Sequence, residues 1–205
     1  MHGMGWRALG AAGIALAVVT VASAQQGPPV RIRGQIEKVE GKTLTIKARN
    51  GSEMKVNMID NPRVQGLAKA SLADIDTNSY IGVTAMPQPD GSQKAIAIHI
   101  FMPSQRGLGE GFRAWDLQPN STMTNAAVAS KVAAADGNVL TMKYKGGEKK
   151  VIVTPQTTIV KVVPGDKSEI KAGAQIIIMA AKKEADGSLT APAVYVGVGG
   201  VTPPM

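Results

Sequence analysis

The chain has 205 residues, with 23 Lys and Arg against 15 Asp and Glu, and a formal net charge of +8. It contains no cysteine, which excludes disulfides, thiolate metal sites and a lipid anchor on a cleavage-site Cys. The positive charge is spread along the sequence rather than gathered into one run, so it describes a solvated surface before it describes a site for polyanions.

Residues 1–24 have the form of a secretory leader. Arg7 supplies a positive start, an apolar stretch runs from Ala8 to Val21, and Ala22-Ser23-Ala24 has the small-x-small pattern that a signal peptidase needs. Cleavage is expected before Gln25, which places the protein in the periplasm or outside the cell. The apolar stretch is only about 14 residues long, short for a bilayer span, so no integral membrane segment is expected after cleavage.

After a short lead, the chain turns to strand periodicity. Arg31–Glu40, Lys42–Arg49 and Glu53–Ile59 are expected as a three-stranded meander. Leu44, Ile46 and Ala48 alternate with Thr45, Lys47 and Arg49, the period of a half-buried strand. Asn50-Gly51 is a strong hairpin signal. Asn61-Pro62 is expected to stop the third strand. Ser71 is expected to cap one helical turn over Leu72-Ala73-Asp74. Tyr80–Met86 and Gln93–Phe101 are expected as strands four and five, joined by the turn Pro87-Gln88-Pro89-Asp90-Gly91.

About 96 residues later the same order recurs, which marks an internal repeat. Gly41-Lys42-Thr43-Leu44-Thr45-Ile46-Lys47 is matched by Gly137-Asn138-Val139-Leu140-Thr141-Met142-Lys143. Asp90-Gly91-Ser92 is matched by Asp186-Gly187-Ser188. The strands expected in the second copy are Val128–Ala135, Val139–Tyr144, Lys149–Thr154, Gln175–Ala181 and Ala191–Val198. Three strands, a connector and two more strands is the order of a small five-stranded OB-like barrel. The fold expected is therefore all-β: two tandem OB-like barrels, over 30–101 and 128–199, joined by an ordered linker over 102–127. Each repeat is short enough that a core shared by both is an open alternative.

The linker is the stretch that does not repeat. From Pro103 to Pro119 it combines Gly107, Gly109 and Gly111 with Arg106, Arg113, Phe112 and Trp115. Long segments of this kind are functional or disordered, and the aromatic content argues against disorder.

These residues resemble those of the exported bacterial family named domain of unknown function 5666. The resemblance rests on Gly-Lys-Thr-Leu-Thr-Ile at Gly41–Ile46, Leu-Ala-Asp-Ile before Tyr-Ile-Gly-Val, and the Pro-Asp-Gly-Ser hairpin. The run from Met102 to Leu117 is similar to the linker of two-repeat members, which often carry His where this chain has Phe112. The resemblance implies export and a small β-barrel, and no activity.

Catalytic chemistry is sparse. After the leader, His99 is the single histidine, and no nucleophile elbow, phosphate loop or paired-His motif is present. Glu110 and Asp116 sit among Arg106 and Arg113, where loop ion pairing accounts for them. The chain is therefore not expected to be an enzyme, and exported barrels with few aromatics are not expected to bind nucleic acid. Two binding readings remain. In the first, Arg106, Glu110, Phe112, Arg113, Trp115 and Asp116 line a groove between the barrels for an envelope protein, a polymer or a small ligand, with no cofactor. In the second, His99 binds copper with Met102 or Met86, because imidazole and thioethers suit that metal.

Overall fold

The structure, a computed structural model, describes residues 28–134 and 137–205. The leader expected over 1–24 lies outside them. Among the described residues no helix is long and apolar enough to cross a membrane.

The chain is all-β. The first half contains β1 (Val30–Glu40), β2 (Thr43–Ala48), β3 (Glu53–Lys69), β4 (Tyr80–Pro87) and β5 (Gln93–Ile100). A short β6 (Gly111–Ala114) follows in the linker. The second half contains β7 (Thr122–Ala134), β8 (Gly137–Tyr144), β9 (Gly147–Val153), β10 (Thr158–Pro164), β11 (Gln175–Lys183) and β12 (Leu189–Gly197). Three single turns of 3-10 helix interrupt the strands. At the first of them, Asp74 accepts hydrogen bonds from the Ser71 backbone N–H and hydroxyl, each at 2.9 Å. Ser71 thus stands at the N-cap, as its sequence position suggests.

Strands β1, β2, β3, β12 and β11 close a five-stranded barrel. The pairs β1–β2, β2–β3, β11–β12 and β1–β11 are antiparallel, and β3–β12 is parallel. Its interior holds Ile32, Ile36, Leu44, Ile46, Val56, Ile176, Ile178 and Val194. The period-2 pattern of β2 produces this, since Leu44 and Ile46 are buried while Lys47 is exposed. Strands β4, β5, β9, β8 and β7 form a second ring of pairings, with β5 and β9 joined through Gln93↔Val151 and Lys94↔Ile152. Ile81, Val83, Ile98, Val128, Leu140 and Met142 fill it. β10 connects the two rings, antiparallel to the end of β3 and parallel to β5.

These pairings do not follow the repeats. The first three strands of each repeat are completed by the last two strands of the other, so 30–101 and 128–199 are not the structural units. The reason lies in β3. Asn61-Pro62 does not stop it. Between Ala191 and Ala193 of β12 the ladder steps from Met58 to Arg63 of β3, so Pro62 falls in a bulge where its missing N–H is not needed. β3 then continues to Lys69 and pairs with β10 through Leu67↔Val162. This carries the chain out of the first barrel before β4 begins. β7 also starts at Thr122, inside the stretch expected as linker, and β10 was not anticipated.

β1 and β2 approach closely at Gly34, which lies opposite Ala48. A Cβ there would collide with the Lys47 carbonyl oxygen and sit 2.9 Å from the Ala48 Cα. β2 is held on its other side by β3 and has no room to retreat. Gly34→Ala is expected to lower stability by about 1–3 kcal/mol, the range of an overpacked core, read as a lower urea midpoint at unchanged slope.

Candidate functional site

Because Ile81 and Val83 point into the second ring, Gly82 points out of it. His99 of β5 and Asn125 of β7 lie opposite Gly82 on its two flanking strands. The three form a row on the outer face. The imidazole occupies the space a side chain at position 82 would need: a Cβ on Gly82 would overlap His99 Cε1 and Nε2 and stand 2.7 Å from Asn125 Oδ1. Phe101 meets the ring edge-on, with centroids 4.5 Å apart, and Tyr80 packs against Phe101 at 5.3 Å. His99 is 4% exposed. Burial, followed by the Arg113 charge, pushes its pKa down to about 3, so the imidazole is neutral at physiological pH.

The opposite wall comes from the outer face of the first barrel. Met179 of β11 and Tyr195 of β12 contribute to it, as does the buried Met205. The segment carrying Met205 is fastened by Arg33, whose Nε donates to the Met205 carbonyl, and by Arg49, which donates to the Pro203 carbonyl.

The linker forms the roof. Leu108 accepts hydrogen bonds from Asn125 Nδ2 at 3.1 Å and from the Tyr80 hydroxyl at 3.3 Å. β6 pairs with β7. Trp115 is 8% exposed, with the Arg31 guanidinium 3.9 Å and the Arg113 guanidinium 5.7 Å from its ring centroid. Asp116 ties this roof to the first barrel, at 2.7 Å from Arg33 and 3.4 Å from Arg31. Burial raises the Asp116 pKa, but the Arg33 hydrogen bond and the two guanidinium charges outweigh it and hold the carboxyl below its usual value. Asp116→Asn is expected to cost about 1 kcal/mol, since the pair is half-exposed, and to shift Trp115 emission to the red.

Between these walls lies a cavity of about 220 Å³, mostly apolar. Three of its lining residues each carry a buried polar atom with no hydrogen-bond partner among the described residues: His99 Nδ1, Trp115 Nε1 and Asn125 Oδ1. Such an atom costs about 1–3 kcal/mol, so three beside one cavity is a large expense for packing alone.

The residues singled out in the sequence divide as follows. Trp115 and Arg113 reach the cavity and Asp116 anchors them. Arg106 donates to the Asn78 carbonyl at 2.6 Å and lines, with Arg63, a wider neighbouring groove of about 660 Å³ that shares Leu108 and Gly109 with the cavity. Glu110 turns away and accepts from the Lys145 backbone N–H at 2.7 Å. Phe112 is 38% exposed, with Lys149 Nζ 4.4 Å from its ring centroid, and does not enter the groove. His99 lines the cavity, but the two methionines chosen to accompany it do not. Met86 lies opposite Lys94, far along β4 from Gly82, and Met102 lines the wider groove. Met123, Met179 and Met205 are the methionines that line the cavity with His99. Met123 was hidden in the presumed linker, and no sequence signal connects Met205 with His99.

No protein-family model matches the chain, and searches of the curated proteins and of the solved structures found no match.

Proposed function

We propose that this protein is an exported, non-catalytic binding module that holds a small guest in the cavity between its two barrels. The observation that carries this reading is the trio of buried polar atoms without partners beside an otherwise apolar cavity. A guest that supplies one or two partners recovers free energy that the protein alone forgoes. The roof is joined to the second ring by the β6–β7 ladder and to the first barrel by Asp116 with Arg31 and Arg33, which places it over the cavity between them. The carboxylates support binding over acid–base chemistry, because Glu110 is engaged with Lys145 and Asp116 with Arg31 and Arg33. Export rests on the leader pattern at Arg7–Ala24, and the resemblance to domain of unknown function 5666 agrees with it.

The test uses the chain from Gln25, which contains every described element. Trp115 is its only tryptophan. Single-ring guests such as phenol, pyrrole and toluene are titrated and followed by ligand-observed NMR. Saturable binding, lost when Met179→Trp fills the cavity, is the expected result. If no guest binds, and no metal binds either, the roof serves only to fasten the barrels together.

A further inference from the structure

Four donors with available lone pairs meet at the cavity: the His99 imidazole from β5 and the thioethers of Met123 from β7, Met179 from β11 and Met205 from the final segment. They come from both barrels and from distant parts of the sequence. We propose that the cavity binds one Cu(I) ion through His99 and at least two of these three thioethers, a deepening of the binding reading above on which it rests.

The donor set selects the metal. Thioether sulfur is a soft ligand that favours Cu(I), and neutral imidazole suits copper in either state. No acidic side chain lines the cavity, and Arg113 stands in its wall. A dication would find no Asp or Glu there and a cation beside it, whereas Cu(I) brings a single charge to the neutral imidazole and thioethers. Divalent zinc and calcium, which look for carboxylate, thiolate or several imidazoles, are therefore poor fits.

The surroundings favour coordination over simple packing. Met142 lies within an aliphatic core, where methionine is an ordinary filler. Met123, Met179 and Met205 instead line the same cavity as the one described histidine, whose Nδ1 has no hydrogen-bond partner. Gly82 and the edge of Phe101 fix the imidazole plane, while each methionine retains three rotatable bonds with which to bring its sulfur inward. Trp115, itself buried, adds an apolar ring to the cavity wall.

The test is an anaerobic titration of the metal-free chain from Gln25 with Cu(I) in competition with a chromogenic Cu(I) chelator, with Zn(II) alongside. One equivalent of Cu(I) is expected to bind, at least 100-fold more weakly in His99→Leu. Met123→Leu and Met179→Leu, which conserve volume, are expected to weaken it at least tenfold each. X-ray absorption of the complex is expected to show sulfur and nitrogen neighbours. Urea unfolding of each variant establishes that it is folded, and a folded Met123→Leu, Met179→Leu double variant that binds Cu(I) as the parent does overturns the site. So does the absence of one-to-one binding, or Zn(II) binding that the same substitutions abolish. If Cu(I) fails while a single-ring guest still binds and is displaced by Met179→Trp, the copper assignment falls and the binding module stands.

Discussion

A fragment running from Gln25 to Gln105 is expected not to fold. It contains β1 to β5 complete, and a tandem arrangement would give it a whole barrel. The observed pairings leave it two incomplete pieces instead. β1 lacks β11, and β3 lacks both β12 and β10. β4 and β5 lack β7 and β9. Ile32, Ile36, Leu44, Ile46 and Val56 lose the facing Ile176, Ile178 and Val194, and a meander with one uncovered apolar face is at best marginal in water. Circular dichroism of the fragment is expected to show no cooperative thermal transition. Mixing it with the fragment from Arg106 to Met205 is expected to restore one, because every missing strand is then present. A cooperative transition in the first fragment alone would show that each repeat closes on itself and that the exchange is wrong.

The second large effect is a pH dependence set by His99. In the unfolded chain the imidazole titrates near 6.5, and in the folded protein near 3. At pH 7 neither state carries the proton, so the group contributes nothing. As pH falls below 6.5, the unfolded chain gains a proton that the folded one cannot accept, and stability is lost until pH reaches the folded value. The full loss approaches about 5 kcal/mol, of which about 2 kcal/mol falls between pH 7 and pH 5. Carboxylates titrate mostly below this window, so the interval isolates the imidazole. Urea unfolding of the metal-free protein, with chelator present, is expected to show this loss in the parent and not in His99→Leu. Equal slopes for the two would mean that the folded protein admits the proton.

Much of the secondary structure was legible because strand periodicity is a local property. Leu44 and Ile46, the Asn50-Gly51 turn and the Ser71 cap all stand where their immediate neighbours place them. What escaped depends on distant partners. Pro62 is a strand breaker only if its N–H is wanted, and whether it is wanted depends on β12, more than a hundred residues away. The same holds for the barrels. The strands themselves are legible from local pattern, but which hairpin closes each meander is not, and β3 runs past Pro62 to pair with both β12 and β10.

The site divided along the same line. Trp115 and His99 stand out because each is rare in this sequence. Arg113 is found because it is near Trp115. Met123, Met179 and Met205 are common residues in ordinary contexts, and only the packing of one barrel's outer face on the other gives them a shared neighbour. Phe112 misled for a simple reason: on β6 its neighbours Gly111 and Arg113 face the opposite way, and alternation sends its ring toward solvent and Lys149.

The exchanged strands also govern when the protein can exist as a folded object. The first barrel waits for β11 and β12, which are made last, so a nascent chain carries exposed β1 and β3 edges through nearly the whole of its synthesis. Such long-range closure is slow, and open edges of this kind invite pairing with other chains. The second ring, by contrast, has all five of its strands once β9 is made, so the two units can close at different times in the life of one chain.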